Sequence, residues 1–81
     1  MEIAFSPAAW RGWRKLPAAV QRRLKEKLVR YSQDPLAHAV KLTDESIGQY
    51  RFRVGDYRVV FDLEGDTLFV LAVGHRKEIY R

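Results

Sequence analysis

The chain has 81 residues, no cysteine, 15 Lys and Arg against 10 Asp and Glu, and a formal net charge of +5. That length fits one domain, since compact domains run to roughly 50–250 residues, and the missing cysteines exclude disulfides and cysteine-built zinc sites. No apolar run nears the ~18 residues of a membrane span, and Met1-Glu2-Ile3-Ala4-Phe5 lacks the basic and apolar regions of a signal peptide, so a cytoplasmic chain with no membrane partner is expected.

Glu2 to Phe5 reads as a short strand. Ser6-Pro7 is a helix start, because serine caps and proline suits the first helical position. Trp10, Trp13 and Leu16 then recur at helical spacing, and the two tryptophans are expected in the core where helix meets sheet. Pro17 interrupts this helix and opens the next. Val20, Leu24, Leu28 and Tyr31 form one apolar stripe, predicting an amphipathic helix of about four turns that ends before Asp34-Pro35. Residues 34–48 read as loop from Pro35, Gly48 and the polar stretch Thr43-Asp44-Glu45-Ser46. A connection of about 15 residues is long for a compact domain. His38 in it reads as an exposed loop histidine.

From Tyr50 the period becomes two. Tyr50 to Val54 and Tyr57 to Phe61 flank Gly55-Asp56, and glycine at the first central position suits a two-residue type II′ hairpin turn. A second turn falls at Glu64-Gly65-Asp66. Thr67 to Val73 is continuously apolar, which predicts a strand buried on both faces at the middle of the sheet. The fold class is α+β in the order β-α-α-β-β-β, with two N-terminal helices on one face of a small antiparallel sheet.

The hairpin register puts Tyr50, Phe52, Val54, Tyr57, Val59 and Phe61 on the core face. Arg53 then opposes Arg58 on the other face, and Arg51 opposes Val60. Like charges directly across a strand pair are destabilising, so the arrangement points to an anion-binding surface. Arginine suits it, with a planar fork that binds phosphate bidentately and stays charged. The alternative is a solvated face neutralised by Asp44, Glu45, Asp62 or Glu64. The charge excess lies elsewhere: residues 1–40 carry all of the net +5, on Arg11, Arg14, Lys15, Arg22, Arg23, Lys25, Lys27 and Arg30. A basic balance favours an anionic partner, with nucleic acid the commonest. A solvated helix surface is the plainer account. His75, Arg76 and Tyr80 extend the arginine cluster or lie beside it. A three-residue second turn puts Arg76 on the arginine face and a two-residue turn does not.

Gly48 to Phe61, followed by Val73-Gly74-His75-Arg76-Lys77-Glu78-Ile79-Tyr80, resembles the RelE/ParE superfamily of toxins from type II toxin–antitoxin systems. Trp13-Arg14-Lys15-Leu16-Pro17 and Lys41-Leu42 also look like that family, so the resemblance spans nearly the whole chain as one toxin domain. The RelE branch implies a metal-independent mRNA interferase without cofactor, in which the 2′-hydroxyl attacks the adjacent phosphate in the ribosomal A site. It implies Arg51 and Arg53 as basic residues on the first hairpin strand. It further implies that Arg58 stabilises charge on the reacting phosphate, that Arg76 assists the leaving oxygen, and that Tyr80 stacks on or orients the substrate. The implied partners are a cognate antitoxin and mRNA on the ribosome, with 16S rRNA held by basic helix residues. Some members carry lysine at Arg51 and Arg53. Arginine is a poor general base, which makes His75 the candidate if it reaches the 2′-hydroxyl. The C-terminal helix of some members is also missing after Tyr80, leaving a groove that is open or filled by the antitoxin. Two other readings fit the same fold: a ParE-like gyrase inhibitor, and an inactive module that only pairs with an antitoxin.

Overall fold

The computed structural model describes residues 1–44 and 46–79. Strand β1 (Glu2–Phe5) is followed by helices α1 (Pro7–Arg14), α2 (Ala18–Tyr31) and α3 (Pro35–His38), then strands β2 (Ala39–Lys41), β3 (Tyr50–Val54), β4 (Tyr57–Glu64) and β5 (Thr67–His75). The five strands form one sheet in the order β1-β5-β4-β3-β2. It is antiparallel except at one edge, where β1 runs parallel to β5. No helix among the described residues is long and apolar enough to cross a membrane.

The helices lie where the caps predict. Ser6 accepts the Ala9 N–H at 3.0 Å and Pro7 takes the first helical position. Pro17 precedes α2, whose stripe buries Leu24 and Leu28 against Phe52, Phe61, Val59, Leu68 and Val70. Phe52 and Phe61 stack with ring centroids 4.3 Å apart at the centre of that core. Burying each such ring contributes roughly 1.5–3 kcal/mol relative to leaving it exposed.

Three expectations need correction. Residues 34–48 are not all loop: α3 is a single turn whose His38 stacks on Tyr31 at 4.2 Å, and β2 pairs with β3 through Ala39↔Phe52 and Lys41↔Tyr50. A three-residue strand carries no readable alternation, so only its partner defines it. Trp13 packs against the core, but Trp10 is half exposed. It sits edge-on to Phe5 at 6.1 Å, at the mouth of an apolar groove shared with Ile3, Leu28 and Val29. Finally, β5 is not buried on both faces. Leu68, Val70 and Val73 are buried, while Phe69, Leu71 and Ala72 are half-buried.

The reason for that last pattern is a β-bulge. Phe61 pairs with Val70 but Val60 pairs with Ala72, so Leu71 has no ladder partner. A bulge reverses which side chains face the core beyond it, which explains the odd spacing from Val70 to Val73. It also leaves backbone groups to be satisfied. Ser6 does this: its N–H donates to the Val70 carbonyl at 2.9 Å and its hydroxyl to the Leu71 carbonyl at 3.1 Å.

Candidate functional site

The β3–β4 hairpin has the expected register, with Arg53 opposite Arg58 and Arg51 opposite Val60. Gly55 has φ +59 and, among the described residues, no non-glycine residue has positive φ, the pattern of a II′ turn. This turn organises the arginines. Arg58 is buried, at 6% exposure, and its Nη1 donates to the Gly55 carbonyl at 2.8 Å and the Tyr57 carbonyl at 2.9 Å. Those carbonyl dipoles face the guanidinium and offset its repulsion from Arg53. Arg53 itself is exposed and Arg51 half-buried.

The second turn is a two-residue one, Gly65-Asp66, since Glu64 pairs with Thr67. Taken alone, that would turn Arg76 toward the helices. The bulge at Leu71 reverses the alternation, so Gly74 opposes Arg58 and the Arg76 N–H donates to the Asp56 carbonyl at 2.7 Å. Arg76 thus continues the arginine face, and its Nε lies 3.7 Å from the Asp56 carboxylate.

His75 goes the other way. It opposes Tyr57 on the helix face, edge-on to that ring at 5.6 Å, and its Nδ1 accepts the Lys77 N–H at 3.1 Å. The structure therefore brings Arg51, Arg53, Arg58 and Arg76 to one face and sets His75 on the opposite one, away from Arg58. Tyr80 lies outside the described residues.

The arginine face is also less open than alternation alone implies. The segment between β2 and β3 lies across its middle. A Cβ on Gly48 would stand 2.5 Å from Val60 Cγ1 and 3.1 Å from Leu71 Cδ1, and Val60 is fully buried beneath it. Gln49 pins the segment, its N–H donating to Asp62 Oδ1 at 2.8 Å and its Oε1 accepting the Leu63 N–H at 3.0 Å. At its tip Asp44 Oδ1 accepts from the Ser46 hydroxyl at 2.6 Å and the Ser46 N–H at 3.0 Å, and these bonds hold its carboxyl below the ordinary range. Gly48 was the one readable sign of this cover. What stays accessible is the end carrying Arg53, Gly74 and Arg76, and Arg58 lies there between Arg53 and Gly74 on the ladder with little of its surface exposed. Among the described residues no three His, Asp or Glu side chains gather to hold a metal ion.

A fixed guanidinium flanked by further arginines on a rigid hairpin is suited to a phosphate. Residues 3–80 match the model of the ParE toxin of the type II toxin–antitoxin system parDE. The chain belongs to this toxin family. Toxin RelG of Mycobacterium tuberculosis is 33% identical over 82 residues, covering 98% of this chain and 94% of RelG. Toxin RelE3 of Methanocaldococcus jannaschii is 29% identical over 84 residues, covering 99% and 96%. The toxin–antitoxin complex RelBE2 of M. tuberculosis contains a chain of the same fold, with a TM-score of 0.82, 28% identity, and 93% and 96% coverage. This is thus a type II toxin of the RelE/ParE superfamily, and its solved structural neighbours include complexes of RelE toxins with RelB antitoxins.

Proposed function

We propose that this toxin is a ribosome-dependent mRNA interferase held in check by a cognate antitoxin. The observation that carries the reading is the arginine set on one rigid face, with Arg58 fixed by the carbonyls of its own turn. In this mechanism the RNA 2′-hydroxyl attacks the adjacent phosphorus, and the bond to the 5′-oxygen breaks, leaving a 2′,3′-cyclic phosphate and a 5′-hydroxyl. Negative charge grows on the phosphoryl oxygens as the new bond forms. Arg58 meets that charge from a fixed position, so little reorganisation is needed as it develops. Arg51 and Arg53 hold the backbone in line, Arg76 stands by the departing oxygen, and Tyr80 stacks on the substrate. Basic helix residues such as Arg22 and Lys25 would contact 16S rRNA. His75 faces the helices, so the rate rests on positioning and charge stabilisation more than on a histidine base.

The relatives named RelE3 and RelG support this branch. The match to the ParE toxin model supports a second reading, gyrase inhibition without chemistry. One experiment separates them. The toxin is induced without antitoxin, and 5′ ends are mapped on a translated reporter mRNA, with Arg58→Ala and Arg53→Ala beside it. New ends inside the reading frame, reduced a hundred- to thousandfold by Arg58→Ala (about 2.7–4 kcal/mol), support the interferase. Intact mRNA with growth arrest and DNA breaks would select gyrase inhibition. Intact mRNA with normal growth would leave the inactive antitoxin-pairing module. Arg53 is exposed, so its variant tests the face without disturbing a buried group.

A further inference from the structure

A groove of about 470 Å³ opens on the helix face at the end of β5, beyond the arginines. Small-molecule sites occupy roughly 300–1,000 Å³. Its walls include Leu16 at the α1–α2 corner and the rings of Tyr57 and His75, and Lys15 and Glu78 also line it. Two observations join it to the arginine face. β1 pairs with β5 only as far as Val70, so the outer edge of β5 beyond the bulge carries no strand. At that end Gly74 belongs to both places: it opposes Arg58 on the ladder and lines the groove. A Cβ on Gly74 would meet nothing within 4 Å, so bare backbone separates the two. On its far side the groove shares Lys15 with a second hollow of about 370 Å³ lined by Arg11 and Arg14. A positive track therefore runs from Arg58 and Arg76 over Gly74, past two aromatic rings, to Arg11 and Arg14 on α1 and Lys15 just after it.

We propose that this groove is a nucleotide subsite for the RNA strand that leaves the arginine face. A base enters against the Tyr57 and His75 rings, and the next phosphate meets Lys15. Aromatic walls suit any base, because each has a π-face. The Glu78 carboxylate repels phosphate from the groove's interior and so favours the base there. His75 is in this account a substrate-positioning residue. The assignment rests on the RNA reading above.

The test uses the isolated full-length toxin and a single-stranded RNA pentamer made uncleavable by 2′-O-methylation, followed by NMR and by fluorescence anisotropy. Chemical-shift changes at Tyr57, Gly74 and His75, together with Arg53 and Arg58, are expected. His75→Ala should weaken binding about five- to tenfold, consistent with the loss of one stacked base, while His75→Phe retains it. Gly74→Val, which fills the passage with backbone unchanged, should abolish the groove shifts and keep those at Arg53. Shifts confined to the arginines would overturn the subsite and leave the RNA reading standing. Shifts nowhere would overturn the subsite, while the interferase reading stands or falls on the 5′ ends mapped on translated mRNA. A groove silent to RNA but protected in the purified antitoxin complex would be a protein-docking surface, which also overturns the assignment.

Discussion

Ser6→Ala is the most informative single change to the fold. The hydroxyl has two tasks, accepting the Ala9 N–H as the cap of α1 and donating to the Leu71 carbonyl exposed by the bulge. Losing an N-cap costs about 1 kcal/mol. Leaving a carbonyl unsatisfied costs about 1–3 kcal/mol, and the lower end applies because both residues are only part-buried. The sum is about 2 kcal/mol. A domain of this size loses roughly 4–8 °C per kcal/mol, so Tm should fall by about 8–16 °C. Thermal and urea unfolding of the isolated toxin measure it. Ser6→Gly separates the tasks, since glycine costs a cap only a few tenths of a kcal/mol but still removes the bond to Leu71. It should lose about half as much. If both variants stay within 0.5 kcal/mol of the parent, the serine does not hold the bulge and the reasoning is refuted.

Gly48→Ala should destabilise by about 1–3 kcal/mol, as overpacking does, because the new methyl would meet Val60 Cγ1 at 2.5 Å; a urea midpoint unchanged from the parent would contradict the close cover described for the sheet. Asp56→Asn should cost under about 1 kcal/mol of stability, the usual worth of an exposed ion pair, and should release the Arg76 side chain, read as faster Arg76 Nε exchange. The Asp44 carboxyl is held below its ordinary pKa by Ser46, so the tip of its segment is intact above the usual carboxylate range and opens as pH falls through the lowered value. The protection of the Ser46 amide, its exchange measured against an unstructured peptide at the same pH, should persist through neutral pH and fall as pH drops through the lowered value, and no such change is expected in Asp44→Asn.

The hairpin was legible because its register depends on two adjacent turn residues and an alternating pattern on either side. Arg53 opposite Arg58 followed from that alone. The side taken by Arg76 and His75 was not legible, because it depends on the bulge, and the bulge depends on Ser6 meeting Leu71 across 65 positions of sequence. No local pattern encodes that meeting. Strand β2 failed for a related reason: Ala39-Val40-Lys41 becomes a strand only through β3. Trp10 satisfied the helical spacing, yet a position on the stripe does not ensure that anything covers it. The pairing of the arginines on one face is legible in the alternation, but its cover is not, since the segment over Val60 is marked by its sequence merely as polar.

The pairing of β1 with β5 has a consequence for the order in which the molecule assembles. During synthesis β1 emerges long before β5, the strand it pairs with. The hairpin of β3 and β4 and the cap of α1 can close locally, but β1 and the bulge must wait for β5. Non-local pairing of this kind is slow, because the chain must be closed into a long loop before any contact compensates for it. The register that carries Arg76 to the side of Arg58 is therefore among the last features to form. A nascent chain of this toxin thus holds its arginines before it holds their arrangement.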